Sequence, residues 1–317
     1  MRALITGASG FAGAWLCRAC VAAGDEVFAL SRHGPAPEGV ERTVSVDLRD
    51  AGAVAGLLRA ARPEVIYHLA ALSSVGRSWE EPARTMEENV QSAVSLLEGM
   101  RHQTPDARVV WVSSCEVYGE PEKLPIPEDA PLRPANPYAV SKTSAEMLAA
   151  VYAQSYGIPI IRARPFSHAG PGQRPIFLLS SLARQAAAGQ LAGDAELRIV
   201  TGNPSTRRDF TDVRDVARAY RMLAGAAPGV YNVSSGRSLS AADQVAVLGE
   251  LIAPVKVEHI VDPARVRAHE VSDLRGDHSL LTATTGWEPT IPFRQTMADT
   301  VEFWRRELVR DHGGSKE

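Results

Sequence analysis

The stretch that decides the fold is ALITGASGFAGAWLCRACVAAG, residues 3–24. A short apolar run, ALIT, enters a turn with three regularly spaced glycines, and a helical segment follows that ends at Gly24. Glycine is required where such a turn is tight, where backbone approaches a pyrophosphate and where a helix packs closely on a strand. The N-terminus of the helix then attracts phosphate. Gly7, Gly10 and Gly13 therefore predict a dinucleotide-binding site, and the alternative is a plain tight turn.

The composition is that of an ordinary globular protein. Its 317 residues are 45% hydrophobic and 22% charged, with a formal net charge of −3, so they can bury a substantial core in one or two domains. There is no basic excess to predict nucleic-acid binding, and no apolar run approaches the ~20 residues that span a bilayer. The N-terminus has no signal-peptide pattern, which predicts a cytoplasmic protein. Cys17 and Cys20 are expected to pack within a helix, and no metal site is predicted.

Strand-like runs alternate with helix-like segments along the first half of the chain. The runs lie at residues 3–6, 26–30, 43–46, 64–70, 108–114 and 159–166. This alternation predicts an α/β fold with a doubly wound parallel sheet of the Rossmann type. The second half is less regular, so a smaller, intertwined C-terminal substrate domain is expected. The predicted boundaries are 1–165 plus about 209–236 for the dinucleotide-binding domain, and about 166–208 with 237–317 for the substrate domain.

The end of the second strand-like run predicts which dinucleotide binds. An NAD-preferring site would place a carboxylate there, whereas this chain has Ser31 and Arg32. An arginine suits the 2′-phosphate, so NADP(H) is favoured over NAD(H); the alternative is a solvated surface arginine. Asp47 ends the third run and is expected to hold the adenine amino group, or else to act as a helix N-cap.

The segment NPYAVSK, residues 136–142, predicts an acid–base pair. Asn136 is a suitable N-cap and Pro137 suits the first helical position, so Tyr138 and Lys142 lie four residues apart on one face of a helix. A free tyrosine has a pKa of about 10. A nearby ammonium group and a positive nicotinamide ring would lower this pKa and prepare the phenol for a sugar carbonyl or alcohol.

These motifs together resemble those of the extended short-chain dehydrogenase/reductase family, whose members modify nucleotide-linked sugars. The resemblance rests on TGASGFAG (6–13), SSCEVYG (113–119) and YAVSK (138–142), and it covers nearly the whole chain. It implies that Ser114 hydrogen-bonds the reacting oxygen of the sugar, that Tyr138 is the acid–base group and that Lys142 binds the nicotinamide ribose.

Cys115 and Glu116 bear on the type of reaction. In the 4,6-dehydratases of this family a glutamate matches Glu116, and glucose-type dehydratases have an aspartic acid where Cys115 stands. A thiol with a reference pKa of about 8.5 is not an equivalent acid, which counts against that branch. Three interpretations of Glu116 stay open: a base at C5, a clamp for a substrate hydroxyl, or a structural carboxylate that bonds backbone amides.

Later segments resemble the family's GDP-4-keto-6-deoxy-mannose reductases. These segments are RPFSHAGPGQRP (164–175), RRDFTDVRDVARAY (207–220), RVRAHEVSDLRGD (265–277) and TGWEPTIPF (285–293). The resemblance implies that Arg208 holds the diphosphate, that Arg267 and Glu270 bind the nucleoside end, and that Pro165 to His168 border the nicotinamide. For the arginines the alternative is a surface salt bridge. Ser167 stands where the family usually has asparagine.

The resemblance also completes the expected site. The remaining expected cofactor contacts are Phe11, Ala12, Leu48, Leu69, Ala70, Ala71, Asn89 and Ser113, with Ser73 beside the sugar. His68 is expected to be a core histidine rather than a catalytic one. A homodimer through a four-helix interface is expected from the helices near Asn89 and at 141–156.

The function predicted from the sequence is NADPH-dependent reduction of the C4 ketone of a nucleotide-linked 4-keto-6-deoxyhexose, with a GDP-linked sugar favoured. One alternative is a 4,6-dehydratase or 4-epimerase that keeps its cofactor bound and returns the hydride. Another is a non-catalytic protein that senses the cofactor. The intact set of Ser114, Tyr138 and Lys142 argues against this last alternative.

Overall fold

The computed structural model describes residues 1–32, 36–266 and 271–313. Its largest sheet has seven strands: β1 (Arg2–Thr6), β2 (Glu26–Leu30), β3 (Arg42–Val44), β4 (Val65–His68), β5 (Arg108–Val112), β6 (Ile160–Pro165) and β10 (Gly229–Val233). They are all parallel, in the order β10-β6-β5-β4-β1-β2-β3. The prediction of a doubly wound parallel sheet is confirmed.

Helices cover both faces of this sheet, which is why its strands are apolar on both sides. One face packs on α1 (Phe11–Ala22) and α8 (Val213–Leu223). The other face packs on α2 (Ala51–Ala61), α5 (Ser92–Gln103) and α6 (Pro137–Tyr156). Cys17 and Cys20 are fully buried in α1 as free thiols, as expected for cysteines that pack a helix.

The smaller part of the chain contains two further sheets and three long helices. One sheet consists of β7 (Ser167–Ala169), β9 (Arg207–Asp212), β11 (Ser238–Ser240) and β13 (Asp273–Leu274), and the other of β8 (Glu196–Thr201) and β12 (Lys256–Val261). An apolar cluster joins α7 (Leu178–Ala192), α9 (Ala241–Leu251) and α11 (Phe293–Gly313). The pairing of β8 with β12 joins strands that lie about 60 residues apart in the chain.

The remaining elements are short. They are α3 (Val75–Glu80), α4 (Pro82–Met86), a π-helical turn (Glu87–Gln91), two 3-10 turns (Cys115–Tyr118 and Pro263–Arg265) and α10 (Ser279–Thr285). No helix within the described ranges is both long and apolar enough to cross a membrane.

The chain passes between the two parts more than once. Strand β6 of the large sheet leads directly into β7, which pairs with β9, and the chain after β9 returns through α8 to β10 of the large sheet. The carboxyl ends of parallel strands lie at one edge of a sheet, and ligands of open α/β sheets bind there. This edge therefore meets the smaller part where β7 begins and pairs with the end of β9.

Candidate active site

The glycine turn brings the start of α1 against the ends of β1 and β4. Gly7 has a φ of +69°, and a Cβ there would lie 2.9 Å from the backbone nitrogen of Ala70. A Cβ on Gly13 would lie 2.1 Å from the carbonyl oxygen of Gly7. No side chain caps α1, whose N-cap is Gly10, so its first N–H groups are available to an anion. This local geometry fits the pyrophosphate of a dinucleotide.

Arg32 at the end of β2 is exposed and pairs with two carboxylates. Its Nη2 donates to Glu88 Oε2 at 2.7 Å, and its Nη1 lies 3.7 Å from Asp47 Oδ2. Arg49 joins the same group of charges, with its Nη2 2.6 Å from Asp47 Oδ2. Ser31 next to Arg32 is buried. Two carboxylates hold the guanidinium, an arrangement that an exposed surface arginine also adopts, so this alternative stays open.

Asp47 is not the N-cap of a helix. The cap of α2 is Asp50, whose Oδ1 accepts a hydrogen bond from Ala53 N at 3.0 Å. Hydrogen bonds from Arg49 hold the pKa of Asp47 far below its ordinary value, so this carboxylate is ionised. Leu48, the next residue, is buried. The N-cap alternative is wrong, and Asp47 stays at the end of β3 where an adenine amino group could reach it.

The segment after β4 is held by its backbone to two neighbouring elements. Ala70 N donates to Thr6 Oγ1 at 3.1 Å. Asn89 Oδ1 accepts from Leu72 N at 2.8 Å, and Asn89 Nδ2 donates to Ser141 Oγ at 2.8 Å. Asn89 lies in the π-helical turn, a rare geometry that is common near functional sites. Its side chain thus ties the segment that contains Leu69, Ala70, Ala71 and Ser73 to the helix of Tyr138 and Lys142.

His68 is a core histidine, as expected. Its Nδ1 lies 3.0 Å from Thr6 Oγ1, and its ring centroid lies 4.5 Å from that of Trp111. Burial lowers its pKa to about 3, with a smaller contribution from Lys142. The imidazole is therefore neutral across the physiological pH range.

The start of α6 follows the sequence prediction. Asn136 is the N-cap, with Oδ1 accepting from Ala139 N at 2.8 Å, and Pro137 is the first helical residue. Lys142 is fully enclosed, and its Nζ donates to Val112 O, at the end of β5, at 2.5 Å. Burial lowers the pKa of Lys142 to about 8, while the charge of Glu146 opposes this shift.

Tyr138 and Ser114 are hydrogen-bonded to each other through their hydroxyl groups. Both are buried, and Ser114 is the first residue after Ser113 at the end of β5. Burial raises the pKa of Tyr138 above its ordinary value, and the hydrogen bond with Ser114 only partly offsets this. Burial is the largest influence on the pKa of this phenol; the lowering expected from the sequence depends on a positive nicotinamide ring beside it. Tyr138 is consequently a protonated acid.

Glu116 is hydrogen-bonded to the residue that caps α6. Its Oε2 accepts a hydrogen bond from Asn136 Nδ2 at 2.9 Å. The structural interpretation expected Glu116 to bond backbone amides. Its partner is instead the side-chain amide of Asn136. Cys115 is buried in an apolar cluster with Tyr118 and Phe166, and burial raises the pKa of its thiol well above the ordinary value. A neutral thiol in such a cluster does not replace a carboxylic acid.

Ser113 supports a cofactor at this edge of the sheet. Its Oγ is buried and has no hydrogen-bond partner within the described part of the chain. A buried hydroxyl without a partner costs free energy. A polar ligand at the end of β5 would supply the partner, so the residues present fit a nicotinamide dinucleotide.

The residues after β6 lie between the two parts of the molecule. Pro165 ends β6, and Ser167 and His168 begin β7. The ring of His168 stacks on that of Phe11, the first residue of α1, with centroids 5.9 Å apart. Burial lowers the pKa of His168, so its ring is neutral. Phe11 and Ala12 are thus adjacent to the segment that was expected to border the nicotinamide.

The two arginines at the start of β9 differ in their surroundings. Arg207 pairs with Asp243 at 3.1 Å, as the salt-bridge alternative describes. Arg208 donates to two carbonyl oxygens, Arg207 O at 2.8 Å and Val271 O at 2.9 Å, and no carboxylate of the described residues lies within 4.0 Å of it. Arg208 is therefore the arginine suited to an anionic ligand. Arg267 and Glu270 lie outside the described residues.

Asp209 was missed by sequence reasoning. It is fully buried and accepts hydrogen bonds from Ser235 N at 2.8 Å, Ser235 Oγ at 2.6 Å, Gly236 N at 2.9 Å and Gly276 N at 3.2 Å. Burial raises its pKa to about 6 despite these donors. No local pattern could have revealed it, since its partners lie 26 to 67 residues away.

Comparisons with known proteins agree with this geometry. The family model described as GDP-mannose 4,6 dehydratase matches residues 4–300. GDP-6-deoxy-D-mannose reductase of Pseudomonas aeruginosa is 36% identical over 97% of this chain and 98% of its own length. The structure of RMD from Pseudomonas aeruginosa complexed with NADPH has a TM-score of 0.84 and 31% identity, over 97% of this chain and 100% of that one.

A second solved structure shows how wide this similarity is. The UDP-glucose 4-epimerase of Thermus thermophilus in complex with NAD has a TM-score of 0.85 and 30% identity, over 96% of this chain and 99% of that one. The reductase and the epimerase thus share the fold of this chain. The chain belongs to the GDP-mannose 4,6-dehydratase family of the extended short-chain dehydrogenases/reductases.

Proposed function

We propose that this protein reduces the C4 ketone of a nucleotide-linked 4-keto-6-deoxyhexose with NADPH. The observation that carries the proposal is the arrangement of Ser114, Tyr138 and Lys142. Two hydrogen-bonded hydroxyls lie beside a buried lysine at the carboxyl end of β5, next to a glycine turn that suits a dinucleotide. The similarity to the Pseudomonas aeruginosa reductase supports a GDP-linked sugar as substrate.

The chain's own residues would act on the carbonyl oxygen. When bound, the cofactor supplies a hydride to C4 of the sugar. Ser114 donates a hydrogen bond to the ketone oxygen, and Tyr138 transfers its phenolic proton to the oxygen as negative charge develops there. Tyr138 is protonated before this step, as a proton donor must be, because burial favours the neutral phenol. Lys142 stabilises the phenolate until Tyr138 recovers a proton from solvent.

The preference for NADP(H) rests on the charges at the end of β2. Arg32 and Arg49 both lie there, and guanidinium groups bind phosphate with two parallel hydrogen bonds. Asp47 and Glu88 pair with them, so a 2′-phosphate would compete with these carboxylates for Arg32. The solved relatives include one complex with NADPH and one with NAD.

The substrate would lie between the two parts of the molecule. We assign the diphosphate to Arg208, because its guanidinium has only carbonyl partners in the described residues. Arg267 and Glu270 are assigned to the nucleoside end, and Ser73 and Ser167 to the sugar. The smaller, C-terminal part would thus hold the nucleotide sugar, and the residues of the large sheet would hold the cofactor.

A test of the reaction follows NADPH absorbance after GDP-4-keto-6-deoxy-mannose is added to the purified protein. The expected result is stoichiometric loss of reduced cofactor, abolished by Tyr138→Phe. Tyr156→Phe is a matched control, because Tyr156 lies on the same helix but is 45% exposed, and it should keep full activity. No loss of absorbance, with nicotinamide tightly bound in the protein as isolated, would overturn the reductase and favour a 4,6-dehydratase or 4-epimerase.

A homodimer is also proposed, through α5 and α6. The outer face of α6 exposes Val140, Met147 and Val151, with relative exposures of 39%, 59% and 55%. These residues are seven and four positions apart, the spacing of an apolar seam between packed helices. The same two helices from a second copy would complete a four-helix bundle.

A further inference from the structure

A buried ion pair, Glu146 with Arg164, lies close to Lys142. Glu146 and Arg164 are joined by three hydrogen bonds of 2.6, 3.0 and 3.2 Å, in the forked geometry that guanidinium and carboxylate prefer. Their side chains are 1% and 5% exposed. Among the described residues, no other ion pair has both side chains buried.

Such a pair is not explained by stability alone. Moving two charges out of water costs free energy, and their mutual attraction returns little more than that cost. Apolar residues of similar volume often stabilise a protein as well or better. Its position is more informative. Glu146 lies one turn after Lys142 on α6, so the two side chains occupy the same face of the helix. Arg164 lies near the end of β6, the strand next to β5.

The charged and titratable groups around Lys142 come from four elements. On α6 they are Tyr138 and Glu146, and on β4 the group is His68, which is neutral. On β6 both Arg164 and Arg162 act on the neighbourhood of Glu146. The turn after β5 adds Glu116, which acts on Tyr138. Glu146 is the only one of these carboxylates that contributes to holding the proton on Lys142.

The pair also reaches the turn that contains Ser114. Arg164 Nη1 donates to Tyr118 Oη and to Glu128 O, both at 2.9 Å, and Tyr118 Oη donates to Asn232 Oδ1 at 2.8 Å. Tyr118 ends the 3-10 turn that begins directly after Ser114. A single guanidinium therefore links β6, the catalytic helix and the catalytic turn.

We propose that Glu146 and Arg164 are positioning residues: Glu146 supplies a negative charge one helical turn from Lys142, and Arg164 holds Glu146 in place while it anchors the turn after Ser114. This inference rests on the proposed catalytic role of Lys142. Its physical basis is that a buried ammonium with one hydrogen bond, to Val112 O, needs a negative charge nearby to remain protonated. Loss of that charge would leave Lys142 neutral and Tyr138 without an electrostatic partner for its phenolate.

The first test does not depend on the reaction. The chain has only four lysines, at positions 123, 142, 256 and 316, so selective ¹³C labelling gives a simple spectrum in which Lys142→Met identifies the resonance of Lys142. In Glu146→Gln the titration midpoint of Lys142 should fall by about one pH unit or more. This corresponds to about a tenfold lower affinity of Lys142 for its proton. In Arg164→Met it should fall as well, because a buried carboxylate without a partner takes up a proton.

Three further variants separate charge from structure. Arg164→Lys keeps the positive charge but loses the guanidinium hydrogen bond to Tyr118, so kcat should fall. The Lys142 midpoint should stay within about 0.3 pH unit of that of the unmodified protein. Glu98→Gln is the matched control: Glu98 lies on α5 and bonds Tyr152 of α6 at the surface, and its removal should leave the midpoint unchanged. If Glu146→Gln does not fold, the double variant Glu146→Gln/Arg164→Met removes both charges together and should still show the lowered midpoint.

The second readout is the pH profile of kcat/KM. Its alkaline limb should move to lower pH in Glu146→Gln by the same amount as the Lys142 midpoint, whereas a merely structural role would lower kcat/KM at every pH. If Glu146→Gln folds and its Lys142 midpoint is unchanged, the inference is overturned. If Glu146→Gln does not fold, an unchanged midpoint in the double variant overturns it. If the protein does not oxidise NADPH with the sugar but the midpoint falls, the proposed function fails and the electrostatic role of Glu146 stands.

Discussion

At the scale of single residues, Tyr138 shows how the surroundings decide what a side chain does. Its spacing from Lys142 predicted an activated phenol, yet burial raises its pKa. Ser114 holds it by a hydrogen bond, and Lys142 is directed to Val112 O. A protonated phenol can donate a proton to a ketone oxygen, as the proposed reduction requires.

Arg32 gives a prediction about cofactor preference. In Arg32→Gln the guanidinium that faces Asp47 and Glu88 is lost, so the Kd for NADPH should rise by about tenfold or more, because charge-assisted hydrogen bonds to a phosphate contribute about 1.5–3 kcal/mol. The Kd for NADH, which has no 2′-phosphate, should change by less than about twofold. Fluorescence titration of both cofactors measures this. Equal weakening of the two would contradict an assignment of Arg32 to the phosphate.

At the scale of secondary-structure elements, α6 acts as the support of the site. Its N-cap Asn136 binds Glu116, its Ser141 binds Asn89, and its Glu146 binds Arg164. Each of these bonds joins the helix to a different segment: the turn after β5, the π-helical turn and β6. The helix therefore fixes Tyr138 and Lys142 relative to three other parts of the molecule.

Asn136→Ala should affect both stability and catalysis. Loss of the cap to Ala139 N should reduce the free energy of unfolding by about 1 kcal/mol, and kcat should fall because Glu116 loses its partner. Asp50→Ala is the matched control, since Asp50 caps α2 in the same way; it should cost similar stability and leave kcat unchanged. Denaturant unfolding and steady-state kinetics test this. Equal kcat in the two variants would show that the contact with Glu116 has no effect on the reaction.

The outer face of α6 gives a prediction about assembly. Met147→Glu places a charge in the exposed seam of Val140, Met147 and Val151, which should convert a dimer into a monomer, because burying an unpaired carboxylate in an interface is costly. Sedimentation at several protein concentrations measures the change. Val309→Glu is a control on α11, where the side chain is 53% exposed, and should leave the mass unchanged. A parent protein that is monomeric at all concentrations would refute the proposed interface.

At the scale of the whole molecule, Asp209 links strands and loops that are distant in the sequence. It joins β9 to the loop at Ser235 and to Gly276, next to Arg208, which is proposed to hold the diphosphate. Burial raises its folded-state pKa to about 6. A carboxyl whose pKa is raised on folding contributes stability below its unfolded pKa of about 4 and loses that contribution as pH rises through 6.

Asp209→Asn makes this pH dependence measurable, because asparagine does not titrate. The stability of the parent relative to the variant should therefore decline by about 2 kcal/mol between pH 4 and pH 7, which is most of the shift of two pKa units at about 1.36 kcal/mol each. Urea unfolding at a series of pH values gives the difference. A difference that grows with pH would mean that the four donors around Asp209 outweigh its burial.

The sequence by itself determined the large sheet, the glycine turn and the start of the catalytic helix. These depend on local patterns: apolar runs of strand length, glycines where backbone must approach backbone, and Asn136 with Pro137 at a helix start. The pair of Tyr138 and Lys142 follows from helical spacing alone. Such features are predictable because the residues that make them are neighbours in the chain.

Only the tertiary structure decided the properties of that site. It paired Arg32 with Glu88, placed Glu116 on Asn136, left Arg208 without a carboxylate among the described residues and enclosed Lys142 with Glu146 and Arg164. The pairing of β8 with β12 and the hydrogen bonds of Asp209 likewise join segments far apart in the chain. The physical reason is that burial and charge act through space, so a pKa or an ion pair depends on which distant segments the fold brings together.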